Sequence, residues 1–227
     1  SAWVLHRRGV CSSESAAEIE VACSNVTTAE VYEEEGRIRH DIRALVNRIR
    51  ERVSDLAKPI VHMTATSFDV VDTANAARYK DVVECVLVPA LTNLLQVLIA
   101  LSTREAATPQ VGRTHGQHAV PITFGFAMAG YVSRLGGSIE MLEQLSKELR
   151  GKFSGAVGAY NASSLFFDDP EAFEREVLAE LGLDAAEHST QVVPPEALTR
   201  LFCEVTIAAG ILANLSDDMR HLQRTEI

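Results

Sequence analysis

Residues 121–150 read PITFGFAMAGYVSRLGGSIEMLEQLSKELR, and this stretch decides the fold class. Its apolar side chains recur at steps of three and four, which places them on one face of an α-helix. They are Phe124, Met128, Tyr131, Leu135, Ile139, Leu142, Leu145 and Leu149. Pro121 suits the first turn of a helix, so we expect the helix to start there. Gly136-Gly137 is unfavourable inside a helix and predicts a close helix–helix crossing.

Two further segments show the same periodicity. The stripe from Val82 to Leu101 contains Pro89, which should kink this helix rather than end it. The last helix should run from about Pro195 to the C-terminus. Its inward residues are Leu198, Leu201, Phe202, Val205, Ala208, Ile211, Leu212 and Leu215. Helices over 72–106, 121–150 and 195–227 are long for a globular protein, and their broad apolar faces predict a bundle and assembly between chains.

The rest of the chain also indicates helices. An apolar stripe from Ile38 to Val53 predicts one amphipathic helix, ended by Lys58-Pro59. A short helix is expected over 171–181, ended by Gly182. We find no convincing strand pattern. The sequence therefore predicts an all-α fold with a partial N-terminal helical domain over 1–65 and an incomplete long-helix bundle domain over 66–227.

Composition excludes several classes of protein. The net charge is −10, and a nucleic-acid-binding surface needs a basic face that Arg7-Arg8 is too short to provide. The most apolar stretch is interrupted by Glu84, Pro89, Asn93 and Gln96, which argues against a membrane span. The four cysteines are scattered and fit a reducing compartment. We therefore expect a cytoplasmic protein.

Polar residues interrupt the helices at four places. The first is Arg39-His40-Asp41, whose spacing alone fits a solvated helix face. The second, 61–69, holds Thr66 and Asp69 at the spacing of a capping box, which predicts a helix start. A helix N-terminus with the Thr66 and Ser67 hydroxyls would bind a carboxylate or phosphate, although ordinary capping uses the same residues.

The third place is 112–118, GRTHGQH, which contains His115 and His118. No acidic or cysteine ligand is near in sequence, so a metal site is not favoured. His115 lies in a loop before a helix and suits proton transfer, although a structural histidine is the alternative. The fourth place is the glycine-rich stretch 155–161, followed by Ser189-Thr190-Gln191. Its glycines permit close backbone approach, but no Walker loop is present.

Together these segments resemble the adenylosuccinate lyase family of the fumarase/aspartase superfamily. GRTHGQHAVPITFG at 112–125 resembles its histidine signature, and HMTATSFDVVDTA at 62–74 its Thr-Ser-x-Asp segment. Arg-His-Asp at 39–41, SGAVGAYNA at 154–162 and Ser-Thr-Gln at 189–191 follow the family order.

The resemblance implies an enzyme that cleaves adenylosuccinate, and succinylaminoimidazole carboxamide ribotide, by β-elimination of fumarate in purine biosynthesis. His115 would be the general acid, and Thr66 and Ser67 would bind the succinyl carboxylate. The remaining substrate contacts would be Arg39, His40, Asp41, His62, Thr114 and Gln191. The family uses no metal or organic cofactor and forms homotetramers whose sites are shared between subunits.

The sequence departs from the family at both ends. The catalytic serine of the family lies in a Gly-Ser-Ser loop that does not occur here, and the N-terminal Arg-Tyr phosphate contact is also absent. We therefore expect this piece to be inactive by itself. Two alternatives are a sister enzyme, argininosuccinate lyase or carboxymuconate cycloisomerase, and a non-catalytic helical scaffold.

Overall fold

The computed structural model describes residues 1–225, so the ends of the predicted last helix and bundle domain, residues 226 and 227, lie outside the described residues. The prediction of a helical fold is confirmed. The helices are α1 (Ala2–Arg7), α2 (Ser13–Asn25), α3 (Thr28–Ile38), α4 (Asp41–Arg50), α5 (Ser67–Val82), α6 (Val88–Arg104), α7 (Phe124–Glu148), α8 (Pro170–Ala179) and α9 (Glu196–Leu222).

Strands form only two small sheets among the described residues. An antiparallel hairpin consists of β1 (Pro109–Thr114) and β2 (Gln117–Thr123), and a short parallel pair consists of β3 (Arg150–Gly151) and β4 (Asp184–Ala185). The prediction that no strands occur was wrong at the hairpin. The sequence also predicted that α7 starts at Pro121, whereas the helix begins at Phe124.

The chain forms two compact units. The first unit comprises Ser1–Ala77 and Arg150–Pro194, and the second comprises Arg78–Leu149 and the residues from Pro195 onward. These bounds cut across the expected division at residue 65. That division between an N-terminal domain and a bundle domain stays a prediction for the whole protein.

In the second unit, α7 packs against α6 and α9. The predicted inward face of α7 is confirmed from Met128 to Leu149. Within the described residues the expected close crossing at Gly136-Gly137 is not found, because a Cβ on Gly136 would meet only the side chain of Leu95, at 4.0 Å, and a Cβ on Gly137 would meet nothing within 4 Å. The close approach lies instead at Gly125, where a Cβ would stand 2.4 Å from the carbonyl oxygen of Ser102.

The helix through Pro89 continues to Arg104, as predicted, and a π-helical turn (Val83–Leu87) precedes the proline. A proline lacks an N–H and its ring collides with the carbonyl four residues earlier. A π-helical turn widens the backbone at that point, so the helix absorbs the proline without ending.

Several large apolar side chains of the second unit remain exposed among the described residues. Phe202, predicted to face inward, is 46% exposed, and Val86 and Phe126 are 62% and 69% exposed. By length and composition, the helices Ser67–Arg104 and Glu196–Leu222 could cross a membrane, with 17% of their most apolar windows buried inside the chain. Such faces equally suit contact between protein chains, because apolar patches of this kind mark interaction surfaces.

Two apolar clusters hold the first unit together. One is formed mainly by α2 and α4, and contains Ile19, Ala22, Val46, Ile49, Val53, Ala57 and Val61. The other joins α1 and α8 to the segment after β3, and contains Val4, Leu5, Phe153, Phe167, Phe173 and Val177. The predicted short helix is confirmed as α8, and Gly182 follows it with φ of 63°.

Candidate active site

The N-terminus of α5 carries the predicted carboxylate-binding residues Thr66 and Ser67. Half of the expected capping box forms, because the Asp69 carboxylate accepts the backbone N–H of Thr66 at 2.8 Å. The other half does not, since the N–H of Asp69 is bonded to the Thr66 carbonyl. Within residues 1–225, the hydroxyls of Thr66 and Ser67 have no hydrogen-bond partner, so both are free for a ligand at a helix N-terminus.

A buried ion pair lies directly behind this segment. Lys152 donates to Asp69, and both side chains are fully buried. The Lys152 ammonium also donates to the carbonyl oxygen of Gly155 at 3.0 Å, and the N–H of Gly155 donates to Asp69 at 3.2 Å. The glycine-rich stretch is therefore fixed against the start of α5.

Two further residues of α5 hold other segments of the first unit. The Thr73 hydroxyl donates to the carbonyl of Lys152 at 2.9 Å and accepts its N–H at 3.0 Å. Asp72 accepts the N–H of Val193 at 2.8 Å. Asp69, Asp72 and Thr73 lie three and four residues apart, so they share one face of the helix.

The Ser-Thr-Gln segment meets the glycine-rich stretch. Ser154 and Ser189 are hydrogen-bonded through their hydroxyls at 2.8 Å, and a Cβ on Gly158 would lie 2.2 Å from the carbonyl oxygen of Ser189. Only glycine fits that position, which also has φ of 75°. Gln191 is exposed at the end of this segment, and its contact with a ligand stays a prediction.

The Arg39-His40-Asp41 triplet forms a corner between α3 and α4, so its predicted location inside one helix was wrong. Arg39 ends α3 with φ of 59°, and Nδ1 of His40 accepts the N–H of Arg43 at 3.3 Å as the N-cap of α4. The apolar stripe runs across this break, which explains the error. The corner is braced by the carboxylate of Glu34, which accepts hydrogen bonds from Arg37 and from Asn47. These bonds hold the pKa of Glu34 at about 2.

His62 lies close enough to the corner between α3 and α4 for charged groups there to shift its pKa. Burial lowers the pKa of His62, the charges of Arg43 and His40 lower it further, and Asp69 opposes them. Burial and the neighbouring positive charges therefore favour the neutral form of the imidazole. The structure thus brings His40, His62 and the Asp69 that supports Thr66 into one neighbourhood of the first unit.

His115 and Thr114 belong to the second unit, at the tip of the β1–β2 hairpin. His115 and Gly116 form a two-residue turn with φ of 51° and 71°, the signs that a type I′ turn requires. The tip is exposed, and the side chain of His115 has no hydrogen-bond partner within residues 1–225. The strand register shifts between Val111 and Arg113, and Gly112 lies at this irregularity. A Cβ on Gly112 would lie 2.6 Å from the carbonyl oxygen of Val120, so glycine is required there.

Backbone strain in the described residues coincides with the four polar segments. The non-glycine residues with positive φ are Arg39, His62, Thr64, His115 and Tyr160. Thr64 is the most unusual, because its side chain is β-branched and its buried hydroxyl lacks a partner. Such conformations persist where surrounding structure imposes them, and they cluster at functional sites.

Sequence reasoning missed the support behind the site. No sequence pattern singled out Lys152, and the spacing of Asp69 from Thr66 indicated a capping residue only. The available signal was the set Asp69, Asp72 and Thr73, because polar residues that share one helix face require hydrogen-bond partners when that face is packed against the protein. As for metals, the described residues contain no group of three or more His, Cys, Asp and Glu that could hold an ion.

The sequence matches the model of a protein family described as lyase over residues 5–227. The chain therefore belongs to this lyase family, the fumarase/aspartase superfamily.

Among curated relatives, it is similar to adenylosuccinate lyase of Pyrococcus horikoshii, at 37% identity over 87% of this chain and 43% of that protein. It is also similar to adenylosuccinate lyase of Methanothermobacter thermautotrophicus, at 36% identity over 96% of this chain and 49% of that protein. The chain thus spans about half the length of the curated relatives it matches.

Solved structures give the same family. A fumarate lyase from Mesorhizobium sp. BNC1 superposes with a TM-score of 0.88 at 26% identity, over 99% of this chain and 52% of the other. A 3-carboxy-cis,cis-muconate lactonizing enzyme from Pseudomonas putida gives 0.88 at 27% identity, over 99% and 51%.

Proposed function

We propose that the chain is the central part of an adenylosuccinate lyase. The observation that carries this proposal is the pair of free hydroxyls, Thr66 and Ser67, at a helix N-terminus held by buried charges. Such a site suits the carboxylate of a succinyl group. The substrates are adenylosuccinate, giving AMP and fumarate, and succinylaminoimidazole carboxamide ribotide, giving aminoimidazole carboxamide ribotide and fumarate.

The reaction is a β-elimination. A base removes a proton from the carbon next to a carboxylate, the electron pair forms the double bond of fumarate, and the C–N bond breaks. His115 gives a proton to the departing nitrogen. Thr66, Ser67 and the adjacent N–H groups stabilise the charge that builds on the carboxylate.

The nucleotide end of the substrate contacts the corner of Arg39, His40 and Asp41, with His62 beside it. Thr114 and Gln191 supply further contacts. The base is a serine of a Gly-Ser-Ser loop, a string that these 227 residues do not contain. The 227 residues alone should therefore release no fumarate.

The working enzyme is a cytoplasmic homotetramer without a metal or organic cofactor. The exposed apolar faces around Val86, Phe126 and Phe202 support the assembly, because such surfaces need partners in water. The exposed hairpin tip at His115 supports sites completed by another copy, since nothing on its own strand pair encloses it.

The test is fumarate release by the full-length protein from each succinyl substrate. We expect turnover of both adenylosuccinate and succinylaminoimidazole carboxamide ribotide. Turnover of argininosuccinate or carboxymuconate instead would assign a sister enzyme. No turnover of any of these would favour a non-catalytic scaffold.

A further inference from the structure

We propose that the buried Lys152–Asp69 ion pair positions the carboxylate-binding segment, Thr66 and Ser67, for the elimination reaction. This inference rests on the proposed function, because it gives the pair a task at the same site. Both side chains are fully buried, so neither reaches the substrate and both must act through the residues they hold.

Both oxygens of the Asp69 carboxylate are engaged. One oxygen accepts Lys152, and the other accepts the N–H groups of Thr66 at 2.8 Å and Gly155 at 3.2 Å. Lys152 completes the connection through the carbonyl of Gly155. One ion pair therefore joins the start of α5 to the glycine-rich stretch, and the hydrogen-bonded residues Asp69 and Gly155 are 86 residues apart in sequence.

The desolvation of two charges offsets much of their attraction, so apolar side chains of similar size often stabilise a protein equally well. An apolar pair, however, could not accept the two N–H groups. The ion pair therefore holds Thr66 in position relative to Gly155, which an apolar pair could not do.

The position of Thr66 decides where its hydroxyl meets the substrate carboxylate. Asp69 binds the backbone of Thr66 and leaves its hydroxyl free, whereas a full capping box would have engaged the hydroxyl. A misplacement of about 1 Å at a reacting site lowers the rate on the order of a hundredfold. Loss of the anchor should therefore reduce catalysis even where the fold survives.

The experiment is a double-mutant cycle in the full-length protein. The pair variant is Asp69→Leu/Lys152→Met, which removes both charges together, and it is combined with Thr66→Ala. We expect the pair variant to lower kcat/KM for adenylosuccinate about tenfold or more. On the Thr66→Ala background the same change should lower it less than about threefold, because both changes remove the same interaction.

Glu174→Gln is the matched control. Glu174 is also a buried carboxylate that accepts a backbone N–H, from Phe153 at 2.6 Å, but its other partner is the hydroxyl of Tyr160. Any loss it causes should add fully to the loss in Thr66→Ala. A merely structural role for the Lys152–Asp69 pair would show the same additivity, and that result would overturn the inference, as would parental kcat/KM in the pair variant.

Two further measurements keep the test decisive. If the pair variant does not fold, Asp69→Ala/Lys152→Met replaces it, since the smaller alanine avoids overpacking at this buried position and likewise cannot accept the N–H groups of Thr66 and Gly155. The same non-additivity with Thr66→Ala is expected. If the parent protein has no lyase activity, the proposed function fails, and amide hydrogen exchange still tests the pair. Exchange at Thr66 and Gly155 should then rise about tenfold or more in whichever of these variants folds, and not in Glu174→Gln. Unchanged exchange would overturn the inference.

Discussion

The α5 N-terminus and the β1–β2 hairpin carry the two halves of the proposed chemistry, but the chain supports them differently. Thr66 and Ser67 are backed by a buried ion pair, by Thr73 and by two other segments of the first unit. His115 lies at an exposed turn of a two-stranded hairpin in the second unit. The first unit fixes the segment of Thr66 and Ser67 by its own contacts, whereas the hairpin exposes the side chain of His115.

This difference has a consequence for how an active site is built. Preorganised donors stabilise developing charge best when the protein holds them before the substrate arrives, which suits the carboxylate end. An acid on an exposed hairpin needs an enclosing surface that excludes water, and in the proposed tetramer another copy supplies it.

The largest effect is expected at the hairpin. In the full-length protein, His115→Ala should lower kcat about a hundredfold to ten-thousandfold and leave KM nearly unchanged, because proton donation matters in the transition state. His118→Ala is the control, since His118 is exposed on the same hairpin and should retain near-parental kcat. Near-parental kcat in His115→Ala would remove the acid assignment. Steady-state kinetics with adenylosuccinate measure both.

A smaller effect is expected at the α5 N-terminus. Thr66→Ala or Ser67→Ala should lower kcat and raise KM, each by about tenfold, because the carboxylate is bound before it gains charge. Ser24→Ala is the control, since its hydroxyl bonds only the carbonyl of Glu20 on an exposed helix face. A change in kcat alone would contradict the binding role.

The strain at Thr64 predicts a gain in stability. Thr64→Gly should raise the free energy of unfolding by about 1 kcal/mol, because relief of the left-handed conformation outweighs the added entropy of glycine in the unfolded chain. Urea unfolding measures it. Thr28→Gly, at the first residue of α3, should lower stability instead. A loss of stability in Thr64→Gly would show that the threonine side chain contributes more than the strain costs.

The smallest effect is a pH dependence from His62. Its pKa is lowered from 6.5 in the folded state, so the unfolded chain takes up the proton first as pH falls. Stability should therefore be highest above pH 6.5 and decline below it, down to the folded pKa. His62→Asn should flatten the dependence of urea unfolding on pH in this window. If the pH dependence of the free energy of unfolding is unchanged in His62→Asn, groups other than His62 cause it.

The sequence predicted the long helices well, because the apolar face from Met128 to Leu149 has a strong helical period. It failed at two breaks for physical reasons. The apolar stripe continues across Arg39, where a left-handed residue separates two helices. Pro121 suggested a helix start, yet each strand of a two-stranded hairpin is an edge that tolerates proline. His115-Gly116 was the missed signal, because glycine readily adopts positive φ and histidine does so more often than most other residues.

The candidate site was predictable only in part. The motif segments predicted Thr66, Ser67 and Gln191 as site residues, and hydrogen bonds in the first unit join the segments that carry them. The Lys152–Asp69 pair could not be predicted, because the two residues are 83 positions apart and no local pattern links them. Long-range pairs of buried charges become visible only when the fold is known.

The proposed function depends most directly on active sites that combine His115 of one copy with Thr66 and Ser67 of another. Full-length His115→Ala and Thr66→Ala/Ser67→Ala chains are unfolded, mixed and refolded together, and fumarate release from adenylosuccinate is measured. If one copy supplies the acid and another the carboxylate site, mixed tetramers contain some intact sites. The account then predicts turnover above the average of the two separate samples. Turnover equal to that average, in a sample shown to contain mixed oligomers, would contradict it.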